Sequence, residues 1–227
     1  MLCLATPAGA QSVASLFTTL PADFGHLFTP SNAIIVGTGG AASAAIHPQD
    51  ADIAERIRTE TGGRRRFFEP GAPIGDGVAQ GAFALGLYAI GRATHSARVG
   101  ALGADLVDAQ IVNGVITVGI KAAVHRTRPN GSTHSFPSGH TSATFATAAV
   151  IQRHYGWKVA APCYALGGYV SVSRLVDHEH FLSDVIFGAA VGIVSGRAAS
   201  FGHGLARVSV GPTLLPRGIA ITGSLGN

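Results

Sequence analysis

Charged residues are scarce in this chain of 227 residues. Only 12% are Asp, Glu, Lys or Arg, 47% are hydrophobic, and the formal net charge is +4. The chain has two lysines, Lys121 and Lys158. This modest charge argues against a nucleic-acid partner, which usually selects a strongly basic surface. The one cationic run, arginines 64–66, is more typical of a solvated loop, with contact to anionic lipid headgroups as the alternative.

Cysteine is also rare, and its placement bears on the cellular compartment. Cys3 lies in the first ten residues, which end in Ala-Gly-Ala at 8–10 and look like the tail of a secretory signal peptide with its cleavage site. Loss of this segment would leave Cys163 unpaired, which excludes an intramolecular disulfide in the mature chain. We therefore expect a signal-peptide remnant at 1–10 and a periplasmic protein.

The apolar stretches are short or interrupted by charge. A membrane-spanning helix needs about 20 largely apolar residues. The candidates here are 78–91, 105–120 and 185–196. The first is short, the second contains Asp105 and Asp108, and the third soon reaches Arg197. Because charge at bilayer depth is costly, this favours a soluble or peripherally attached protein, with an integral inner-membrane bundle whose functional site faces the periplasm as the alternative.

Strand-like alternation is sparse, so the predicted fold class is all-α, a helical bundle. Abundant Gly and Ala predict helices that pack closely through small residues. Helices are predicted at 31–46, 50–60, 76–92, 98–123, 139–154, 158–174 and 180–200. Alternating apolar residues in the tail suggest a small C-terminal β-hairpin or a loosely held end. The predicted divisions are a signal remnant at 1–10, one helical domain at 11–206 and a tail at 207–227.

One predicted helix carries a polar stripe. Gln110, Asn113, Thr117 and Lys121 follow one another in steps of three and four residues. Such spacing places them on one helix face. A few tolerated polar groups on a packed helix would explain the pattern equally well.

Cations suited to phosphate binding are concentrated in the middle of the chain. Lys121 stands seven residues before Arg128, and Arg174 follows later. A transferring phosphoryl group spreads negative charge over its oxygens and therefore needs converging cations. Arginine offers a planar fork for two oxygens, and lysine offers a compact point charge. Arg126 competes with Arg128 for this role, but Pro129 follows Arg128, and this spacing selects Arg128.

A helix start with an exposed anion site is predicted at residues 137–140. Ser138 directly precedes an apolar run and is a suitable N-cap. The unpaired N–H groups and the dipole of a helix start favour an anion, and Gly139 lets the backbone approach it closely. His140 falls in the first turn, where a general acid for the leaving oxygen is needed.

The third group of residues pairs a histidine with a carboxylate. His180 and Asp184 are four residues apart, so they share one helix face. The carboxylate can fix the imidazole tautomer and leave the other nitrogen free to attack phosphorus. His178 and Glu179 adjoin the nucleophile and are candidates for substrate contact. Neighbours in such a short loop rarely converge on one ion, so no metal site is expected there.

In order, identity and spacing, these groups resemble the three-part signature of the type 2 phosphatidic acid phosphatase and vanadium haloperoxidase superfamily, over residues 121–184. The resemblance implies a helical core, no metal requirement, and a phosphate site that vanadate could also occupy. It implies that Lys121, Arg128 and Arg174 bind phosphate with added hydrogen bonds from Ser138 and Gly139, that His140 is the acid and base, that His180 is the nucleophile, and that Asp184 orients it.

The predicted function is hydrolysis of phosphate monoesters through a phosphohistidine. The expected partner is a phosphorylated small molecule or lipid, with lipid phosphates, polyprenyl pyrophosphates and non-specific acid phosphatase substrates all open. A vanadium-dependent haloperoxidase is one alternative, although the chain is short for that class. A catalytically silent phosphate-binding protein is another, and the intact set of His140, His180 and Asp184 argues against it.

Overall fold

Ten α-helices are present in the part of the chain that the computed structural model describes, residues 13–60, 65–201, 207–215 and 218–226, with side chains for 18–59 and 65–201. They are α1 (Val13–His26), α2 (Pro30–Ile46), α3 (Asp50–Glu60), α4 (Arg65–Phe68), α5 (Gly71–Gly75), α6 (Gly77–Ala93), α7 (Ala97–Val124), α8 (Gly139–Tyr155), α9 (Trp157–Val176) and α10 (Leu182–Ala199). A 3-10 turn, His47–Gln49, joins α2 to α3. Residues 13–60 and 65–201 therefore form an all-α structure.

All seven helices predicted from the sequence are confirmed, as α2, α3 and α6 to α10, with ends within two residues of the predictions. Helices α1, α4 and α5 were not predicted. Two strands, β1 (Arg207–Leu215) and β2 (Gly218–Gly226), pair antiparallel in the segment where the sequence suggests a hairpin. The predicted signal remnant at 1–10 lies outside the described residues.

Close packing through small residues organises the bundle around α10, which contacts α2, α7 and α8. Glycines of α10 allow the backbone of α8 to approach. A Cβ added to Gly192 would lie 2.2 Å from the carbonyl oxygen of Ser142, and one added to Gly196 would lie 2.4 Å from that of Ala146. The prediction of small-residue packing is confirmed, and it brings the first turn of α8 against α10.

Polar side chains of α7 face α8. Gln110 donates to the Ala143 carbonyl at 3.1 Å and to the Thr147 hydroxyl at 3.0 Å. The hydroxyls of Thr117 and Ser142 lie 3.3 Å apart. Gln110 and Thr117 of the predicted stripe therefore contact α8, whereas Asn113 Oδ1 is buried with no hydrogen-bond partner among the described atoms.

Two helices, α7 and α10, are long and apolar enough to span a membrane. The argument from Asp105 and Asp108 against a spanning segment does not apply to α7, because both carboxylates are buried inside the bundle. Asp105 is buried and lies 2.7 Å from His154 Nε2, and Asp108 is buried and accepts from the Thr19 hydroxyl at 2.8 Å. Charge directed into the bundle does not oppose contact between the outer face of α7 and lipid.

Candidate active site

The predicted catalytic residues gather at one end of the bundle. The C-terminal ends of α7 and α9 lie beside the N-terminal ends of α8 and α10. Lys121 and Arg174 belong to the last turns of α7 and α9, and Asp184 belongs to the first turn of α10. His140, in the first turn of α8, is close enough to Arg174 and His180 for their charges to affect its titration. The structure thus brings together all three groups of residues that the sequence singled out.

His180 is buried with one ring nitrogen toward Asp184. The prediction that both residues share one helix face was wrong, because His180 precedes the N-cap of α10 and lies in the connecting loop. Its Nδ1 lies 3.7 Å from Asp184 Oδ2, which is longer than a hydrogen bond, and no other described atom bonds to this nitrogen. Burial lowers the pKa of His180; the Asp184 carboxylate opposes this shift and the Lys121 ammonium adds to it. The imidazole is therefore neutral at neutral pH, and Nε2 points away from the carboxylate.

The carboxylate of Asp184 is held from several sides. Arg126 Nη1 donates to its Oδ1 at 2.6 Å. Its Oδ2 accepts from the Ser135 hydroxyl at 2.5 Å and from the backbone N–H of Phe181 at 2.8 Å. Asp184 is completely buried. This set of donors fixes the orientation of the group that faces His180.

The start of α8 lies against both Lys121 and α10. Ser138 is the N-cap, its hydroxyl accepts from the Thr141 N–H at 3.5 Å, and its own N–H donates to the Asp184 carbonyl at 3.1 Å. A Cβ added to Gly139 would lie 4.0 Å from Lys121 Cε. The lysine ammonium and the free N–H groups of a helix start therefore border the same space, which suits an anion.

His140 lies half-buried in the first turn of α8. Burial, with the neighbouring charge of Arg174, lowers the pKa of His140 to about 4. The ring packs against α5, where a Cβ added to Gly75 would lie 3.1 Å from His140 Cβ. His140 is therefore neutral at neutral pH. A bound phosphate would favour its protonated form, because a nearby anion raises the pKa of an imidazole.

Each arginine predicted to bind phosphate is paired with a carboxylate from the loop between α9 and α10. Arg128 forms an ion pair with Glu179, and its Nε donates to the Thr133 carbonyl at 3.1 Å. Arg174 forms an ion pair with Asp177. The two guanidinium groups are thus held at the site, and phosphate must compete with both carboxylates for them.

Lys121 is held by the loop that leads to α8. Its ammonium donates to the carbonyl oxygens of His134 and Ser135.

A cavity of about 470 Å³ borders Arg128 on the side of α3. Within the described side chains, no cluster of three or more His, Cys, Asp or Glu residues could hold a metal ion.

Two residues near the site were missed or left ambiguous by the sequence. Arg126, a competitor of Arg128 for phosphate by sequence, instead bonds to Asp184 and Asp50. Asp50 begins α3, and nothing in its local sequence links it to α10. Both residues bond to the first turn of α10, and these bonds are visible only in the folded chain.

Comparison with known proteins supports the same core. The profile of the PAP2 superfamily matches residues 103–204. The chain is 38% identical over 98 residues to a lipid A 1-phosphatase of Porphyromonas gingivalis, covering 40% of this chain and 21% of that protein. It is 30% identical over 102 residues to a lipid A 4'-phosphatase of Helicobacter pylori, covering 40% and 51%. The chain thus spans about a fifth and about half of the lengths of these relatives.

Two solved structures share the fold. LpxE of Aquifex aeolicus superposes with a TM-score of 0.55 at 21% identity, covering 66% of this chain and 93% of that one. A transmembrane PAP2-type phosphatidylglycerolphosphate phosphatase from Bacillus subtilis superposes with a TM-score of 0.55 at 19% identity, covering 82% and 92%. These structures show that the helical fold is shared, and the profile match together with the residue signature at the ends of α7 to α10 identifies residues 103–204 as a segment similar to the PAP2 superfamily.

Proposed function

We propose that this protein hydrolyses the phosphate monoester of a lipid, through a phosphohistidine formed on His180. The observation that carries the proposal is the buried, neutral imidazole of His180 with Nδ1 toward an anchored Asp184. In that orientation Nε2 is the available nucleophile. Three cations, Lys121, Arg128 and Arg174, border the site at its rim.

In the first step, Nε2 of His180 attacks phosphorus while the ester P–O bond breaks. His140 protonates the leaving oxygen, so the alcohol departs neutral. Charge on the equatorial oxygens is balanced by the cations and by N–H groups at the start of α8. Asp184 stabilises the positive charge that develops on the imidazole of His180.

In the second step, water attacks the phosphohistidine. His140, now deprotonated, takes a proton from the water, the N–P bond breaks, and inorganic phosphate leaves the neutral His180. The protein's own cations supply the positive charge that a metal ion supplies in other phosphatases. We therefore expect catalysis to persist in the presence of a chelator.

The exposed surface of the bundle supports a substrate that lies in a membrane. Large apolar side chains are exposed on the outer helices, including Val115 and Val118 of α7, Phe83 of α6 and Leu166 of α9. The catalytic ends of α7 and α10, the two helices able to span a membrane, lie together at one end. A site at the end of embedded helices meets the headgroup layer, where a lipid phosphate is found. The names of the two lipid A phosphatases support this substrate class.

The site is proposed to face the periplasm, which rests on the leader-like residues 1–10. A reporter enzyme that is active only in the periplasm, fused into the loop between α9 and α10, would test this. Activity of the reporter is expected, and reporter silence together with labelling from the cytoplasmic side would overturn the orientation.

A phosphate-release assay tests the activity. The full chain in detergent micelles is offered a lipid phosphate and a soluble aryl phosphate, with a chelator present, and His180→Ala serves as the matched control. We expect faster turnover of the lipid phosphate, inhibition by vanadate, and no release by the variant. Vanadate-dependent halide oxidation would favour a haloperoxidase. Phosphate binding without release from any ester would favour a silent binding protein.

A further inference from the structure

Arg126 bridges two carboxylates that belong to different helices. Its Nη1 donates to Asp184 at 2.6 Å and to the Ser183 hydroxyl at 2.7 Å, and its Nη2 donates to Asp50 at 2.7 Å. The guanidinium carbon lies 4.3 Å above the ring of Phe181. Every described hydrogen bond of the Arg126 guanidinium is thus to the first turn of α10 or to Asp50.

Asp50 is a buried carboxylate, 2% exposed, at the start of α3. Its Oδ1 accepts from the Ser183 N–H at 3.0 Å, and its Oδ2 accepts from the Ser183 hydroxyl and from Arg126. His47 Nδ1 lies 3.3 Å from Oδ2. Asp50 lies outside residues 103–204, the part of the chain that matches the family. Its carboxylate therefore joins α3 to the helix start that carries Asp184.

We propose that Asp50 and Arg126 are positioning residues, which hold the Asp184 carboxylate in the orientation that faces His180. This inference rests on the proposed function, because it assigns their effect to phosphorylation of His180. A planar guanidinium can bridge two carboxylates at fixed separation, and a lysine ammonium cannot reproduce that geometry. Without the bridge, Asp184 keeps only the two donors to its Oδ2, so the carboxylate is held less firmly and the contact with His180 Nδ1, already 3.7 Å long, lengthens.

Two other roles would leave different signatures. A phosphate ligand contributes to the binding of phosphate, so its loss weakens inhibition by inorganic phosphate. A purely structural tie contributes to folding, so its loss lowers the unfolding temperature but leaves the turnover of each folded molecule unchanged. A positioning residue instead lowers kcat and the rate of histidine phosphorylation, with little effect on phosphate affinity.

The experiment compares Asp50→Asn and Arg126→Lys with Glu55→Gln, a matched change to an exposed carboxylate on the same helix α3. For each full-length variant in detergent, kcat and KM on an aryl phosphate are measured with the rate of phosphoenzyme formation in a single turnover. The inhibition constant of inorganic phosphate and the unfolding temperature are also measured. Arg126→Lys retains the charge and carries the test if Asp50→Asn does not fold.

We expect both variants to lose about 10- to 100-fold in kcat and in phosphoenzyme formation, the range seen when residues supporting a reactive group are removed. The phosphate inhibition constant should remain within about twofold of wild type by the same reasoning, because neither residue contacts the anion. Glu55→Gln should match wild type. Wild-type kcat in both variants, or a large rise in the phosphate inhibition constant of Arg126→Lys, would overturn the inference alone. An inactive wild type would remove the proposed function and this inference together.

Discussion

At the scale of single residues, the two histidines of the site differ in their surroundings. His180 is buried, and its Nδ1 faces the carboxylate of Asp184. His140 is closest to cations, and its ring has no described carboxylate partner within ion-pair distance. The first arrangement suits a nucleophile whose positive charge is stabilised as it forms. The second suits a residue that gains a proton only when an anion is bound.

The nucleophile can be tested by trapping. Wild-type protein mixed with labelled lipid phosphate and quenched without acid should yield a phosphoenzyme that is labile to acid and stable to base, because it is a phosphohistidine. His180→Ala should yield none. Label retained by that variant would assign the nucleophile to another residue.

His140→Ala should slow turnover by about 10²- to 10⁴-fold, the usual contribution of a general acid and base. The loss should be largest for alkyl phosphates and smaller for aryl phosphates with good leaving groups, because these depart without a proton. Hydrolysis of the phosphoenzyme should remain slow for both classes. Comparing burst and steady-state rates separates the two steps, and equal losses for every leaving group would contradict the role of His140 as acid.

The neutral state of His180 sets the expected acid limit of activity. A nucleophilic imidazole must be unprotonated, and burial lowers the pKa of His180 below its ordinary value. The acid limb of the kcat/KM profile, which reports protonation of His180, should therefore lie below the ordinary histidine pKa of about 6.5. A pH profile of kcat/KM measures this directly, and an acid limb above that value, with no other group responsible, would contradict a neutral His180.

The ion pair of Arg128 with Glu179 sets how strongly product phosphate is retained. Both side chains are partly exposed. Glu179→Gln should free the guanidinium and lower the inhibition constant of inorganic phosphate by about twofold to fivefold, as expected for an exposed pair worth up to about 1 kcal/mol. Asp52→Asn, which changes a carboxylate on α3, is the control. Weaker inhibition by phosphate in Glu179→Gln would show that Glu179 does not compete for Arg128.

At the scale of elements, the contact between α8 and α10 determines where the start of α8 lies. A Cβ added to Gly188 would lie 2.7 Å from the carbonyl oxygen of Ser138, the N-cap of α8. A Cβ added to Gly192, one turn further along α10, would meet the backbone of Ser142. Neither contact can be relieved by turning a flexible side chain, so any larger residue must push the two helices apart.

Substitution of these glycines should separate stability from activity. Gly192→Ala is expected to destabilise the bundle by about 1–3 kcal/mol through overpacking. Gly188→Ala should in addition reduce activity per folded molecule, because it displaces Ser138 and the anion site. Gly114→Ala, where an added Cβ meets no atom within 4 Å, is the control and should be neutral or slightly stabilising. Thermal unfolding and turnover in detergent measure both effects, and a wild-type unfolding temperature for Gly192→Ala would contradict the tight contact.

At the scale of the whole molecule, polar side chains pair with one another inside the bundle, and large apolar side chains are exposed on its outside. Asp105 pairs with His154 and Gln110 bonds to Thr147 in the interior, while Val115 lies 56% exposed on the outer face of α7. In a membrane this outer face contacts lipid tails, and the polar groups satisfy one another.

Membrane embedding predicts the result of extraction. The full chain should stay with the membrane through washes with high salt and with alkali, because neither removes helices held in lipid, and detergent should release it. If the outer face of α7 contacts lipid, Val115→Asp should make the free energy of membrane insertion less favourable by about 2.5–3.5 kcal/mol. If that face contacts water, the substitution should change stability by only about 0.5 kcal/mol. Release of wild type by salt alone would restore the peripheral reading based on length and charge.

Much of the site was accessible from the sequence because its information is local. Helix periodicity located α7 to α10 to within two residues, since apolar spacing and capping act over a few turns. Ser138 was identified as the N-cap of α8. The spacing of His180 and Asp184 predicted their proximity, but not for the stated reason, because His180 precedes the N-cap Phe181 and lies outside α10. The similarity to the PAP2 superfamily, which the profile match places at residues 103–204, was predicted from residue types and their order along the chain.

What only the tertiary structure decided were the partners of charged groups across helices. The directions of Asp105 and Asp108, into the bundle, depend on α8 and α1. Arg126 forms ion pairs with both Asp184 of α10 and Asp50 of α3, so its position depends on a helix distant in sequence. Local pattern determines which side chains share a helix face, but the energy of a buried charge is set by whichever groups from distant segments surround it. The sequence by itself therefore determined the catalytic residue set, and packing determined which of its neighbours hold that set in place.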